Sequence, residues 1–261
     1  MATLLTKNYK KIGQIVLQDS TYDNILYIYG KAKEHNADNG KTTALLKVTY
    51  YRSAGFVSFT SATLKVNGNT AKSYSSTTKM ESGETNVIND YEVTLSHNED
   101  GTSKDESISI SWTATNGGNG SASIEVEALD IPLITVTDIK KDSARVYVST
   151  FDIKGLSVTG GGWDITDDPE KNSWDYVEED VLDKIFTNLK PETTYYVRAY
   201  VITSEGGVNS PWISFTTKKN NVVRIGVNGE IKEATPYICV NGVLKEAVPY
   251  IQVNGEIKEI N

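Results

Sequence analysis

Along residues 1–133 apolar and polar side chains alternate one by one, the period of a half-buried β-strand. In "NILYIYGKAKE" Leu26, Ile28, Gly30 and Ala32 alternate with Tyr27, Tyr29, Lys31 and Lys33. In "ESISISW" Ile108, Ile110 and Trp112 share one face and serines take the other. "TLKVNGNTAKSY" sets Asn67-Gly68 between two extended runs, the strongest short hairpin signal. Such runs recur along the segment, with turn residues between them and no helical period. The pattern predicts a β-sandwich of jelly-roll or immunoglobulin-like kind. "ALDIPLI" closes it, because Pro132 ends the last strand and a new pattern begins.

Residues 134–219 read as a second sandwich. In "LKPETTYYVRAYVITSEG" Tyr195, Val197, Ala199 and Val201 fall on the inward face, and Tyr196, Arg198 and Tyr200 on the outward one. Leu189, Pro191, Thr193 and Tyr195 resemble the L-x-P-x-T-x-Y run of fibronectin type III domains, and "WISFTTKK" resembles their last strand. The resemblance implies that the Tyr195 hydroxyl closes a corner between strands. The first half of the segment departs from that family: Val146 and Tyr147 stand where a tryptophan is usual on the second strand.

The last segment, 220–261, repeats itself every thirteen residues: Val227-Asn228-Gly229, Val240-Asn241-Gly242 and Val253-Asn254-Gly255. Each copy reads as strand, Asn-Gly turn, strand and connection, with Pro236 and Pro249 in the first two connections. A two-residue turn puts Ile231 on the face opposite Val227, and a bulged turn changes that, so both registers stay open. One such hairpin buries too little apolar surface to offset the entropy of ordering it. Three in tandem are a bare minimum for a repeat array. The expectation is an association element that makes the protein a homo-oligomer or docks it in a larger assembly. All told, the predicted fold is all-β: two consecutive β-sandwich domains followed by three β-hairpin repeats.

Composition narrows the function. Of 261 residues, 26 are Lys or Arg and 34 Asp or Glu, a formal charge of −8 with both signs mixed along the chain. That argues against a backbone-tracking nucleic-acid binder. No apolar run approaches the roughly 18 residues of a membrane span, so membrane insertion is not expected. "MATLLTKNYKKIG" lacks the apolar core of a secretory signal, which points to a protein made in cytoplasm. Cys239 is the single cysteine, so stability must rest on burial rather than on an intrachain disulfide.

Catalytic chemistry is sought and not found. "NGKTT" at 39–43 has the end of a phosphate-binding loop, but no glycine cradle precedes it and a strand follows. His35 and His97 read as turn residues, and no G-x-S-x-G elbow or Cys-His metal set accompanies them. The protein is therefore expected to be non-enzymatic. One acidic run, "WDITDDPEKNSWDYVEEDVLD", offers Asp164, Asp167 and Asp168 as hard oxygen ligands for calcium, the one cofactor considered. Its blander reading is a solvated loop. Trp112 and Trp163 fall on core faces. Trp174, Tyr176 and Trp212 lie in polar, loop-like sequence, where they are either a platform for stacking a host-surface glycan or ordinary packing residues.

Taken together, "LYIYGKAKEHNADNGKTTALLKVTYY", "SATLKVNG", "HNEDGTSKDESISISWTA" and the "IPLI" exit resemble tail proteins of long-tailed bacteriophages. The "VNG-x-x-KE" repeats are similar to hairpins that close phage virion proteins. This resemblance implies a virion structural protein of the tail, tail tip or baseplate, assembled in the host cytoplasm with other virion proteins and displayed for host attachment. Other classes compatible with the sequence are a carbohydrate-binding or adhesin module of bacterial or phage origin, a head decoration or fibre protein, and the binding part of a glycan-degrading enzyme.

Overall fold

The computed structural model describes residues 2–17, 22–168, 175–177, 182–220, 223–227, 230–247, 250–253 and 256–259. For 175–177, 223–227, 231–233, 246, 250–253 and 256–259 it describes the backbone alone. Among these residues every regular element is a strand except one short 3-10 turn at Ala37–Asn39. The contacts divide the chain into two units, one holding 1–135, 146–184 and 196–214, the other 136–145, 185–195 and 215–261.

The first unit opens with β1 (Thr3–Leu4), β2 (Lys10–Leu17), β3 (Asn24–Asn36), β4 (Lys41–Phe59), β5 (Ala62–Val66), β6 (Asn69–Tyr74), β7 (Thr78–Ser96), β8 (Glu106–Ala114) and β9 (Gly120–Glu127). They form two sheets, β1-β9-β8-β5-β6 and β2-β3-β4-β7, with the apolar faces of both in one core. Alternation decides which residues enter it. Leu26, Ile28 and Leu46 come from one sheet, and Leu64, Ile108, Ile110 and Trp112 from the other, all fully buried. Trp112 packs its ring 5.8 Å from Tyr50, 5.7 Å from Phe59 and 6.3 Å from Tyr74, in tilted or edge-on geometry. The Asn67-Gly68 turn forms as expected, with Val66 opposite Asn69.

The exit from this sandwich is tied down at "ALDI". The Ile131 amide donates to the Gly101 carbonyl at 2.8 Å, and the Ser103 amide donates to the Asp130 carboxylate at 2.9 Å. Gly101 has φ 81°, and a side chain there would meet the Ile131 carbonyl oxygen at 2.2 Å, so only glycine serves. Leu129 and Ile131 bury against Val208. Lys154 reaches Glu127 at 3.2 Å and the almost fully buried Asp130 at 3.3 Å. Burial works against the Lys154 charge, but the two carboxylates outweigh it and hold the ammonium above its ordinary pKa.

Eight strands follow Pro132: β10 (Leu133–Thr137), β11 (Ser143–Thr150), β12 (Val158–Thr166), β13 (Asp175–Val177), β14 (Asp183–Thr187), β15 (Thr194–Thr203), β16 (Gly206–Asn209) and β17 (Ile213–Thr216). Their order is β10-β11-β14 in one sheet and β13-β12-β15-β16 in the other, with β17 also on β15. First, second and fifth strands share a sheet and third, sixth and seventh the other, as in an immunoglobulin-type sandwich. Tyr195, Val197, Ala199 and Val201 are buried as their alternation predicts. The Lys190 amide donates to the Tyr195 hydroxyl at 2.9 Å, closing the expected corner. Val146, where the fibronectin pattern carries tryptophan, is fully buried, as is Trp163 on β12.

The repeats form three hairpins: β18 (Val223–Val227) with β19 (Glu230–Ala234), β20 (Tyr237–Val240) with β21 (Val243–Glu246), and β22 (Tyr250–Val253) with β23 (Glu256–Glu259). The register is the same in all three, pairing Val227 with Glu230, Val240 with Val243, and Val253 with Glu256. This is the register expected with a two-residue turn, and Ile231, paired with Gly226, falls on the face opposite Val227. Among the described residues each hairpin is a separate two-stranded sheet.

Candidate functional site

Two places gather chemistry. The first is centred on Arg198, on the outward face of β15. Cross-strand register sets it opposite Asp164 of β12, and its Nε donates to the Asp164 carboxylate at 2.7 Å. Its guanidinium lies 4.6 Å over the Trp212 ring, and the Trp212 amide donates to the Asp38 carboxylate at 3.3 Å. Beside it opens a cleft of about 170 Å³, lined by Glu34, His35, Asp38, Arg198, Asn209 and Ser210. Donors and acceptors converge there with almost no apolar wall, a lining suited to hydroxyl-rich ligands.

His35 lines this cleft rather than an open turn. The β3–β4 register shifts between Ala32 and Glu34, and this bulge turns His35 inward and leaves Glu34 exposed. Its Nδ1 lies 2.8 Å from the Thr42 hydroxyl. Burial, aided by nearby His97, pushes the imidazole down to about 4, so it is neutral at physiological pH. His97 is also no turn residue: it is buried, with Nε2 3.0 Å from the Leu129 carbonyl and Nδ1 3.3 Å from that of Gly40. Neither histidine is the turn residue that its surrounding sequence suggested, and the alternation along β3 gave no sign of the bulge beside His35.

The three candidate calcium ligands do not act together. Asp164 is buried against Arg198, which already neutralises it. Asp168 is engaged in a local turn, its amide donating to the Thr166 hydroxyl at 3.0 Å. Asp167 follows β12 at the surface, half-buried. Among the described residues no three His, Cys, Asp or Glu side chains are grouped to hold a metal. Of the proposed glycan platform, Trp174 lies outside the described residues. Tyr176 sits on a strand rather than a loop, opposite Asp164 in register. Trp212 is half-buried with a cation over its ring, so it is a packed support for Arg198 rather than a bare platform.

The second place is the middle hairpin. Its Asn241-Gly242 turn has φ 52° and 79°, the left-handed pair of a type I′ loop. Tyr237, Cys239 and Leu244 share one face, and Ile238, Val240 and Val243 the other. Tyr237 is 57% exposed, Ile238 52%, Val243 57% and Leu244 69%. Large apolar side chains on both faces of a ten-residue hairpin are an unusual concentration for a soluble surface. The flanking copies carry Glu230 and Glu256 where this one has Val243.

No protein-family model and no curated protein matches this sequence. Among solved structures, a protein described as a myokine is similar over 34% of this chain and 97% of its own, at 20% identity and TM-score 0.30. The FN1–FN3 domains of chicken CNTN1 align over 79% of this chain and 99% of their own, at 12% identity and TM-score 0.30. A two-domain fibronectin type III segment of chicken tenascin covers 72% of this chain and 98% of its own, at 16% identity and TM-score 0.28.

Proposed function

We propose that this chain is a non-enzymatic structural component of a tailed-phage virion, in the tail, tail tip or baseplate, that joins its assembly through the C-terminal hairpins. The observation that carries the association is the middle hairpin, which exposes Tyr237, Ile238, Val243 and Leu244 and, among the described residues, is a separate two-stranded sheet. An isolated hairpin is marginal in water, and covering those side chains stabilises it by burial. The virion setting rests on the resemblance of the first segment and of the repeats to phage tail proteins. Truncation after Lys219 tests it. The shortened protein is expected to keep both sandwiches folded, to lose mass as an assembly, and to fail to enter virions. A truncated protein of unchanged oligomeric state that enters virions normally would overturn the reading.

A second reading, a carbohydrate-binding module, draws on the polar cleft beside Arg198. Under it, Arg198→Ala abolishes binding of the full chain to a host-surface glycan while the mass of the assembly is unchanged. Binding that survives the change rules this cleft out as the glycan site.

A further inference from the structure

The hairpins carry more than a generic apolar surface. In the middle one, the two-residue Asn241-Gly242 loop makes the flanking pair Val240–Val243 a hydrogen-bonded one, so backbone directions alternate from there, and the flanking copies pair in the same register. In β21, Val243 and Lys245 direct N–H and C=O toward β20, and Leu244 directs both away, to an edge that no strand covers among the described residues. The equivalent outward positions are Ile231 in β19 and Ile257 in β23. First and second strands are guarded differently. Pro236 precedes β20 and Pro249 precedes β22, and proline at a strand edge discourages pairing there. The second strands read Glu-Ile-Lys-Glu, Val-Leu-Lys-Glu and Glu-Ile-Lys-Glu from residues 230, 243 and 256. Two Glu-Ile-Lys strands set antiparallel about their isoleucines bring each glutamate opposite a lysine, a favourable cross-strand pair on both sides.

The order of the three copies has a symmetry of its own. The outer two have identical second strands and the middle one differs. With the hairpins side by side in a row, a two-fold axis through the middle one pairs it with its own counterpart and sets the first hairpin of one chain against the third of the other. We propose that the occupant of these edges is a second copy of this chain, with β21 pairing with itself about Leu244 on the two-fold axis and β19 pairing with β23 of the second copy. Glu230 then stands opposite Lys258 of the second copy, Ile231 opposite Ile257, and Lys232 opposite Glu256. Each pair of hairpins becomes one four-stranded sheet, with the outward N–H and C=O of Leu244 satisfied across the axis. The Leu244 side chains, more exposed than Tyr237, Ile238, Val240 or Val243, meet there. This inference rests on the association reading above and names its partner and register.

Charge exchange in the full-length protein tests the register. Lys232→Glu with Lys258→Glu makes one variant, and Glu230→Lys with Glu256→Lys makes the other. Each alone sets like charges opposite one another and is expected to associate at least about tenfold more weakly than the natural chain by sedimentation. Mixed, they restore opposite charges at every position and are expected to recover full association as a heterodimer. Position is read independently by Leu244→Cys in a Cys239→Ser background. At the roughly 5.5 Å Cα spacing of a hydrogen-bonded pair, mild oxidation should link the chains. The natural Cys239 lies on the outer strands of the joined sheet, about 14 Å from its counterpart, and should not link. A natural chain that sediments as a monomer overturns the self-pairing, and the association reading falls with it if truncation after Lys219 also leaves virion entry normal. An oligomer indifferent to charge exchange, without cross-linking at 244 or linked through Cys239, overturns this edge pairing and leaves association standing.

Discussion

Two of the chain's Asn-Gly turns, one in the first sandwich and one in the tail, stand in settings that could hardly differ more. Asn67-Gly68 has φ 48° and 78°, Asn241-Gly242 has φ 52° and 79°, and each closes a two-residue loop. In the first, Leu64 and Val66 of β5 are fully buried because β8 continues the sheet and the opposite sheet covers it. In the second, Val240, Val243 and Leu244 remain exposed because no further strand or layer is supplied among the described residues. Turn chemistry is local and makes the hairpin. Burial is a tertiary property, and the same hairpin becomes core or docking surface according to what the rest of the chain brings to it.

The largest effect that sharpens this contrast is a pair of leucine truncations. Leu64→Ala opens a cavity in a closed core and is expected to cost about 3 kcal/mol or more in denaturant unfolding of the first sandwich. Leu244→Ala removes a side chain that is 69% exposed and should change unfolding of the dilute monomer by less than about 0.5 kcal/mol, while weakening association. Comparable unfolding costs would show that the tail hairpin is packed within its own chain.

Acid separates the regions next. His35 is neutral in the folded state with a pKa of about 4, whereas in the unfolded chain it titrates near 6.5. The unfolded state therefore binds the proton first, and stability is lost as pH falls from about 6.5 toward 4. The loss should reach on the order of 1–3 kcal/mol and appear in the sandwich transition. A His35→Gln variant should show a flatter pH dependence across that window, and an unchanged slope would mean the imidazole is solvated.

The smallest effect isolates the turns. A side chain at Gly68 or Gly242 meets nothing within 4 Å, so alanine pays only for its left-handed backbone. Gly68→Ala should lower global stability by about 1 kcal/mol, since its hairpin is part of the cooperative sandwich. Gly242→Ala should leave that transition in place and register only in hydrogen exchange of residues 237–246. A shift of the global midpoint by Gly242→Ala would break the contrast by tying the tail hairpin to the cores.

Much of this was legible from residue order alone. Alternation places Leu26, Ile28, Ile108 and Trp112 in the core, Asn-Gly marks the turns, and the Leu189–Tyr195 run marks the corner that Tyr195 closes onto Lys190. These succeed because strand period and turn conformation depend on neighbours a few residues away. The candidate site was less legible. Asp164 and Arg198 stand 34 residues apart and meet only through the β12–β15 register, which turns a supposed metal ligand into half of an ion pair. The bulge after Ala32 reverses the face of His35, and one displaced residue in a strand of period two is enough to do so. For the three tail repeats, sequence determined the hairpins and the order of their charges. Register, and with it the outward backbone of Leu244, was left to the fold, because sheet pairing is set by hydrogen bonds between strands and not by either strand alone.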